Sequence, residues 1–462
     1  MGSITSNPGG KLTFPGGIHP PEYKELTSEC AIEPGPIPEE VSVLLSQHIG
    51  APCEPLVKKA DAVETGQKIG DSDAFVSAPV HSPVNGKVKS INLCSHAILG
   101  RAMAITIETD TEKTQNKMPA SGQFPDDFNE QHYTAGQICD AVRQAGIVGM
   151  GGAGFPTRVK IEPNPRLDKE VLIINGCECE PYITCDYRLM VEWTNQVMAG
   201  IKLVRQASGC KKVFIGIEDN KPKAIEAMQA AVEKTTHNEN IQVVPVKTKY
   251  PQGGERQLIL SILNKKVPTG GIPPMIGVVV TNIATAAAIA EAVVLNSPLT
   301  HRVVTMTGQG LNNVGNYYTP IGTPVKDMID FCGGFKQEAV KVVIGGPMTG
   351  LAVADLSTPI TKTTGSVTVL TAEQIGAAKY AGRQTPCIRC GRCLQACPEN
   401  LNPTRIAHAV KHNLLDLAEK YYINACIECG CCSFVCPANI ELTGYIKTGK
   451  IFLARQKKKM PE

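Results

Sequence analysis

Two runs of thiols near the C-terminus define the chemistry this chain can do. "CIRCGRCLQACP" and "CIECGCCSFVCP" both read C-x2-C-x2-C-x3-C-P, through Cys387, Cys390, Cys393 and Cys397, then Cys426, Cys429, Cys432 and Cys436. A cubane iron–sulfur cluster needs four thiolates at tetrahedral corners. The short x2 spacing lets one turn of backbone supply three of them, and in two-cluster ferredoxins the last cysteine of each run serves the other cluster. The expected sets are Cys387, Cys390, Cys393 with Cys436, and Cys426, Cys429, Cys432 with Cys397. Zinc ribbons also use paired C-x2-C, but they leave the C-x3-C-P endings without a purpose. Cys431 breaks the x2 rhythm and is expected to pack against the cluster. Gly391 and Gly430 hold the same place in each run, where a bulky side chain would crowd the cage. Two [4Fe–4S] clusters this close in sequence form a one-electron wire and make or break no bonds, so the electron source must lie elsewhere.

The candidate source begins at "GMGGAGFPT" (149–157), which matches G-x-G-x-x-G through Gly149, Gly151 and Gly154. A dinucleotide fold requires strand, loop, helix in that order. Here a helix-like stretch comes before, Phe155-Pro156 after, and the strand-like "VLIIN" (171–175) only later. An ordinary Rossmann unit fits badly. A turn and a different nucleotide-cradling loop remain, and the second is favoured, since side-chain-free backbone can approach a ring or phosphate. Next, "INGCECEPYITCDYR" puts Asn175, Glu178 and Glu180 at the C-terminal end of a buried strand, where open α/β sheets place ligands. Cys177, Cys179 and Cys185 lack a fourth partner and metal-type spacing.

The elements that must position these groups follow from pattern. At 462 residues the chain suggests about three domains. With 42% hydrophobic residues it can bury several cores; 5% aromatics, a net charge of +3 and no basic stripe exclude the footprint of a nucleic-acid binder. The dense positive cluster, "RQKKKMPE", reads as a solvated tail. Eighteen cysteines would suit a short secreted disulfide scaffold, but eight fall into the two metal-type runs, so a reducing setting fits better. The N-terminus lacks the apolar stretch of a secretory signal. "IGVVVTNIATAAAIAEAVVL" (276–295) carries Asn282, Glu291 and three threonines; it reads as a buried strand and an Ala-rich helix rather than a membrane span.

Residues 1–125 are rich in Pro and Gly with short β-type runs, and 109–130 read as a linker. From 131 to 298, "AGQICDAVRQAGIV" spaces Ile138, Val142 and Ile147 like a helix face, and "VLIIN", "KVFIGIE" and "IQVVPV" alternate with helical stretches, which predicts an α/β domain with a largely parallel sheet. Residues 299–352 read as a small β-rich module with one helix, and 378–447 as a helical cluster domain. In the last, Ile406, Val410, Leu414, Leu417 and Tyr421 fall on one helical face, with Asn402 as N-cap and Pro403 in the first turn.

"GGAGFPT…K", "N-x-x-E-x-E-P", "YPQGGERQLI" (250–259) and "VTNIATAAAI" (280–289) occur in this order in the flavin- and NADH-binding subunit of respiratory complex I and its relatives. "FPGGIHPPEYKELT" (14–27), "LLSQHIGAPCEPLVKKADAVETGQKIG" (44–70) and "SAPVHSPVNGKV" (77–88) resemble the RnfC component of the Rnf electron-transport complexes. The resemblance runs through nearly the whole chain in domain order. It implies an N-terminal lipoyl-like barrel-sandwich domain, a central α/β flavin/NADH-binding domain, a β-grasp module and a helical two-cluster ferredoxin domain. Because "PVNGKV" offers Asn85-Gly86 at the turn where such domains present a lysine, lipoylation is not expected.

The same resemblance implies a non-covalent FMN on which NAD(H) stacks. By position, Gly151, Gly152, Gly154 and Lys160 would line its phosphate or ring, Asn175 and Glu178 the ribityl and ring edge with Glu180 nearby, and Gly253, Asn282 and Thr285 the other side. Phe155 and Glu255 would face the nicotinamide nucleotide. Cys177 stands where complex I relatives have Asp, and Gly254 where they have Glu. The implied activity is ferredoxin:NAD+ oxidoreduction coupled to Na+ or H+ movement through other Rnf subunits, at the cytoplasmic face of the membrane. Two rivals are a soluble flavin iron–sulfur cobalamin reductase, whose glycine loop lies near the N-terminus with the barrel last, and a flavin-free electron carrier. About 148 residues precede the loop here, against the first rival.

Overall fold

The computed structural model describes residues 10–120, 123–164, 167–235, 240–375 and 384–459. The expected start of the cluster domain, 378–383, lies outside the described residues, as does the end of the "RQKKKMPE" tail.

Strands Glu40–Leu44, Gly100–Thr109, Gly86–His96 and Ala62–Val63 form one small sheet, and Glu54–Pro55, Lys68–Asp71 and Val80–His81 form another. Their inward residues, among them Val41, Val43, Ile69, Val88, Ile105 and Ile107, share one core, as alternating strands that close on each other require. This is the expected barrel-sandwich. It does not include residues 10–35, which instead cross the rest of the molecule as a strap. Leu12 N–H donates to the Ser261 carbonyl (3.0 Å), and Gly17 N–H to that of Ala396 (2.9 Å). Ile32–Pro34 pair in parallel with Asn316–Tyr318. Short Pro- and Gly-rich segments look alike whether they form barrel turns or a strap, so pattern alone could not separate them.

The central domain holds a four-stranded, wholly parallel sheet in the order Ile241–Val246, Lys212–Glu218, Val171–Asn175, Val278–Asn282. Strands buried on both faces read as continuous apolar runs, which is why the sequence showed them. The 276–295 stretch divides into strand Val278–Asn282 and helix Ile283–Val294, and no helix among the described residues is long and apolar enough to cross a membrane. Helix Ala135–Gln144 starts at Thr134 with a capping box to Gln137, burying Ile138 and Val142; Ile147 is buried just beyond its end.

The next module is a six-stranded sheet whose strand Ser366–Thr371 lies between His301–Thr307 and Ala339–Ile344. An interior strand of this sheet therefore lies beyond the expected boundary at 352, and strap residues supply an edge. Lys362, fully buried, ties three units together. Its ammonium donates to the carbonyls of Pro79 (2.6 Å) and Gly146 (2.7 Å), and its N–H donates to Gln47 Oε1 (2.9 Å). Burial pulls its pKa down to about 7. Lys362→Met strands both carbonyls, at about 1–3 kcal/mol for each unsatisfied buried group. A thermal midpoint several degrees lower is expected by calorimetry.

In the cluster domain Asn402 caps helix Pro403–Lys411, accepting from Arg405 N–H at 3.1 Å. The expected single helical face does not persist. The helix stops at His412, Asn413 is left-handed (φ 57°), and a second helix runs Leu415–Lys420. Leu414 and Leu417 are consequently 50% and 36% exposed.

Candidate functional site

The parallel sheet reverses strand order between Val171–Asn175 and Val278–Asn282, with Asn175 opposite Asn282 at their C-terminal ends. Ligands bind at such switch points. The glycine loop lies over this point. Val148 and Pro156 close it by a bridge, and Met150 N–H donates to Thr285 Oγ1 (2.9 Å). Asn282 caps helix Ile283–Val294 through Thr285 N–H (3.2 Å), and its amide donates to Asp186. A Cβ on Gly151 would meet Asn282 at 2.9–3.0 Å, whereas one on Gly152 would meet nothing within 4 Å. One glycine allows the loop to approach the sheet; the next offers bare backbone to open space.

That space is a cavity of about 770 Å³, within the usual range for cofactor sites. Gly151, Gly152, Gly154, Phe155, Lys160, Asn175, Gly253, Glu255, Asn282 and Thr285 all line it. Lys160 Nζ pairs with Glu255 Oε1 (3.0 Å) and donates to the Val280 carbonyl (3.0 Å). Asn175 Nδ2 donates to the Gly253 carbonyl (2.7 Å). The wall of Gly151, Gly152, Asn175, Gly253, Gly254, Glu255 and Asn282 is shared with a second cavity of about 480 Å³, which extends to Ile427 and Cys429 of the cluster domain.

Two expected ligand-binding carboxylates have other partners. Glu178, left-handed at φ 47°, caps helix Cys185–Glu192 by accepting from the N–H groups of Asp186 (2.7 Å) and Tyr187 (3.2 Å). Glu180 accepts from the N–H groups of Met348 (2.6 Å) and Thr349 (3.0 Å), fastening the six-stranded module. Both line only the second cavity. Cys177 points into the sheet toward the Gly216 carbonyl (3.7 Å) and lines neither cavity.

Several site residues were not anticipated. Lys24, from the strap, donates to the carbonyls of Glu178, Glu180 and Ile183 at 2.8, 2.9 and 2.7 Å and holds the carboxylate loop in shape. Tyr250 Oη donates to the Cys429 carbonyl (2.7 Å). Asp186 sits buried beside Glu178, and burial first, then that carboxylate, raise its pKa to about 7. Nothing local in the sequence marks these roles; each depends on a segment distant in the chain.

The folded state holds a proton on Asp186 that the unfolded chain releases near pH 4. Its contribution to stability is therefore present at low pH and is lost as pH rises from about 4 through 7. Asp186→Asn should flatten that slope, raising the melting midpoint at pH 8 and barely moving it at pH 5.

Cys397, Cys426, Cys429 and Cys432 line one cavity together with Cys431, so the last cysteine of the first run faces the same space as three of the second. The N–H groups of Leu401 and Glu428 donate to the sulfurs of Cys397 and Cys426 (both 3.3 Å). In the other set Cys393 is buried, Cys436 half-buried, and Cys387 and Cys390 exposed. Cys431, fully buried, packs on Ile18, Tyr250 and Ala396 with its Sγ 3.9 Å from the Tyr250 carbonyl; it wedges the cluster domain against the Tyr250 loop and the strap.

Four domain families match along the chain: the RnfC barrel sandwich hybrid domain at 12–112, the Nuo51 FMN-binding domain at 142–291, the SLBB domain at 303–352 and the 4Fe-4S dicluster domain at 383–440. The C component of the proton-translocating ferredoxin:NAD(+) oxidoreductase complex of Clostridium ljungdahlii is 44% identical, covering 89% of this chain and 87% of that one. The C component of the Na(+)-translocating complex of Acetobacterium woodii is 42% identical, covering 88% and 89%. The corresponding component of the ion-translocating oxidoreductase complex of Rhodobacter capsulatus is 40% identical, covering 88% and 76%. With 40–44% identity over almost its whole length and the RnfC barrel sandwich hybrid domain at 12–112, the chain belongs to the RnfC family of Rnf complex components.

Proposed function

We propose that this chain is the subunit of a membrane-bound ferredoxin:NAD+ oxidoreductase complex that passes electrons between NAD(H), a non-covalent FMN and two [4Fe–4S] clusters, while partner subunits move ions. The observation that carries this reading is the shared wall between the glycine-lined cavity and the one reaching Cys429. FMN, when bound, exchanges an electron pair with NAD(H) and single electrons with the clusters.

The residues fit that group. Gly151, Gly152 and Gly154 offer backbone without side chains, and Lys160 offers a cation to a phosphate or ring carbonyl. Asn175, Gly253, Asn282 and Thr285 fix the floor by bonding one another and the loop. Phe155 and Glu255 line the nicotinamide side of the same cavity. Glu178 and Glu180 act indirectly, holding the helix and the module that frame the site. Cys177 faces away, so its replacement of an Asp costs the cavity no contact.

The order of the clusters follows from exposure. The set of Cys397, Cys426, Cys429 and Cys432 adjoins the flavin side; Cys387 and Cys390 face outward and belong to the entry or exit point. NAD+ reduction takes two electrons and one proton, so clusters held by these two sets would have to supply single electrons twice per turnover. The cytoplasmic face of the membrane suits both NAD(H) and a chain in which all eighteen cysteines are free of disulfides.

The test is spectroscopic. Acid should release a fluorescent flavin from the purified protein, NADH should bleach it, and Glu255→Gln should slow that bleaching about tenfold or more, an effect of ~1.4 kcal/mol or more. A flavin-free protein that ignores NADH would leave only an electron carrier.

A further inference from the structure

The two cysteine runs are structural copies, thirty-nine residues apart. Arg389 and Glu428 are both left-handed (φ 58°), as are Gly391 and Gly430 (φ 76° and 82°). The N–H of Arg389 donates to Cys387 Sγ at 3.4 Å, and that of Glu428 to Cys426 Sγ at 3.3 Å. Cys393 Sγ lies 3.7 Å from Thr404 Oγ1, and Cys432 Sγ 3.5 Å from Thr443 Oγ1.

The copies differ in what covers them. In the second, Ile427 and Cys429 line the cavity beside the flavin loop, Gly430 approaches the Met348 carbonyl so closely that a Cβ would stand 2.9 Å from it, and Cys431 is fully buried. In the first, Cys387, Ile388, Arg389, Cys390 and Arg392 are all exposed, and a Cβ on Gly391 would meet nothing within 4 Å. One turn is thus already seated against the rest of the molecule, and its copy presents the same backbone without a seat.

The substitutions between them say what fits. Ile388 repeats Ile427, so the apolar centre is kept, though Ile388 is 66% exposed. Glu428, ion-paired with Lys450 (2.8 Å), is replaced by Arg389, and buried Cys431 by Arg392; neither arginine makes an ion pair among the described residues. An isoleucine flanked by two unpaired guanidinium groups has the make-up of an interface anchor, since Arg and apolar side chains dominate such centres.

We propose that the Cys387–Arg392 turn is the docking face for a partner protein that presents carboxylates around its own one-electron centre. This rests on the reading of Cys387, Cys390, Cys393 and Cys436 as cluster ligands and of the chain as part of a larger complex. Opposite charges would steer the partner into register and make the contact sensitive to salt.

The probe is washed membranes from cells that retain the other subunits of the complex but lack this chain, with rebinding of purified, cluster-loaded protein measured by sedimentation. R389E/R392E should bind at least tenfold more weakly, with a flatter salt dependence, and R389K/R392K should bind nearly as the unaltered protein does. K265E/K266E, a reversal of two exposed lysines elsewhere, should have no effect. Iron content and NADH bleaching of the flavin should stay unchanged in all of them; if the reversal loses iron, R389Q/R392Q is the variant to read, with at least threefold weaker binding expected. Unaltered binding by an iron-replete reversed or neutralised variant overturns the docking face alone, and a dimer of the unaltered protein that the reversal dissolves would assign the face to a second copy instead. Failure of the unaltered protein to bind overturns both this proposal and the assignment of the chain to a membrane complex.

Discussion

Cys397→Ser should yield a protein with about four irons in place of about eight, and the cluster it loses should be that of the second run. Cys397 lies in the first run, so a local reading would predict the opposite. The structure groups it with Cys426, Cys429 and Cys432 around one cavity, while Cys393 lies beside Thr404 in its own run. In the proposed arrangement the lost cluster is the one beside the flavin, so the consequences separate. NADH should still bleach the flavin at close to the native rate, yet electron passage to the outer cluster should fall by at least a hundredfold. Iron analysis, low-temperature electron paramagnetic resonance and stopped-flow absorbance read the three effects independently. Loss of the outer signal with retention of the inner one would contradict the crossed ligation.

Gly151→Val should abolish flavin retention while leaving both clusters in place. Even the first added carbon falls 2.9 Å from Asn282 Nδ2 and 3.0 Å from its Cβ and Cγ, inside van der Waals contact. The branches of valine make the clash worse. Asn282 cannot yield without releasing the cap on helix Ile283–Val294 and the bond to Asp186, so the loop must lift away from the switch point. Caps of this kind contribute about 1 kcal/mol, and overpacking costs typically 1–3 kcal/mol; together they predict flavin affinity lower by about thirtyfold to nearly a thousandfold. Gly152→Ala, whose Cβ meets nothing in the protein within 4 Å, separates contact with the protein from contact with the cofactor. It should leave stability unchanged and alter only flavin binding, by titration of the flavin-free protein.

Short-range chemistry is legible in the chain itself. Cluster type follows from spacing because three corners of a cubane must come from one turn of chain. The parallel sheet follows from apolar runs, since strands covered on both faces carry no alternation. The caps at Thr134, followed by Gln137 in a capping-box pattern, and at Asn402, with Pro403 behind it, are equally local. The helical face through Leu414 and Leu417 is a misreading, because periodicity does not register a left-handed residue such as Asn413.

Cofactor chemistry and the order of the modules are thus fixed by residue order, because ligand spacing and strand burial are written within a few residues. Long-range packing settled everything else. It took Glu178 and Glu180 for framing, brought Lys24 from a distant strap to lock their loop, and placed an interior strand of the six-stranded sheet beyond residue 352. It also turned one cysteine run toward the flavin side and left its copy outward. These choices depend on which buried donors and acceptors meet after folding, and an unpaired polar group in a core is too costly to leave; that pairing is a property of the packed molecule, not of any stretch of chain.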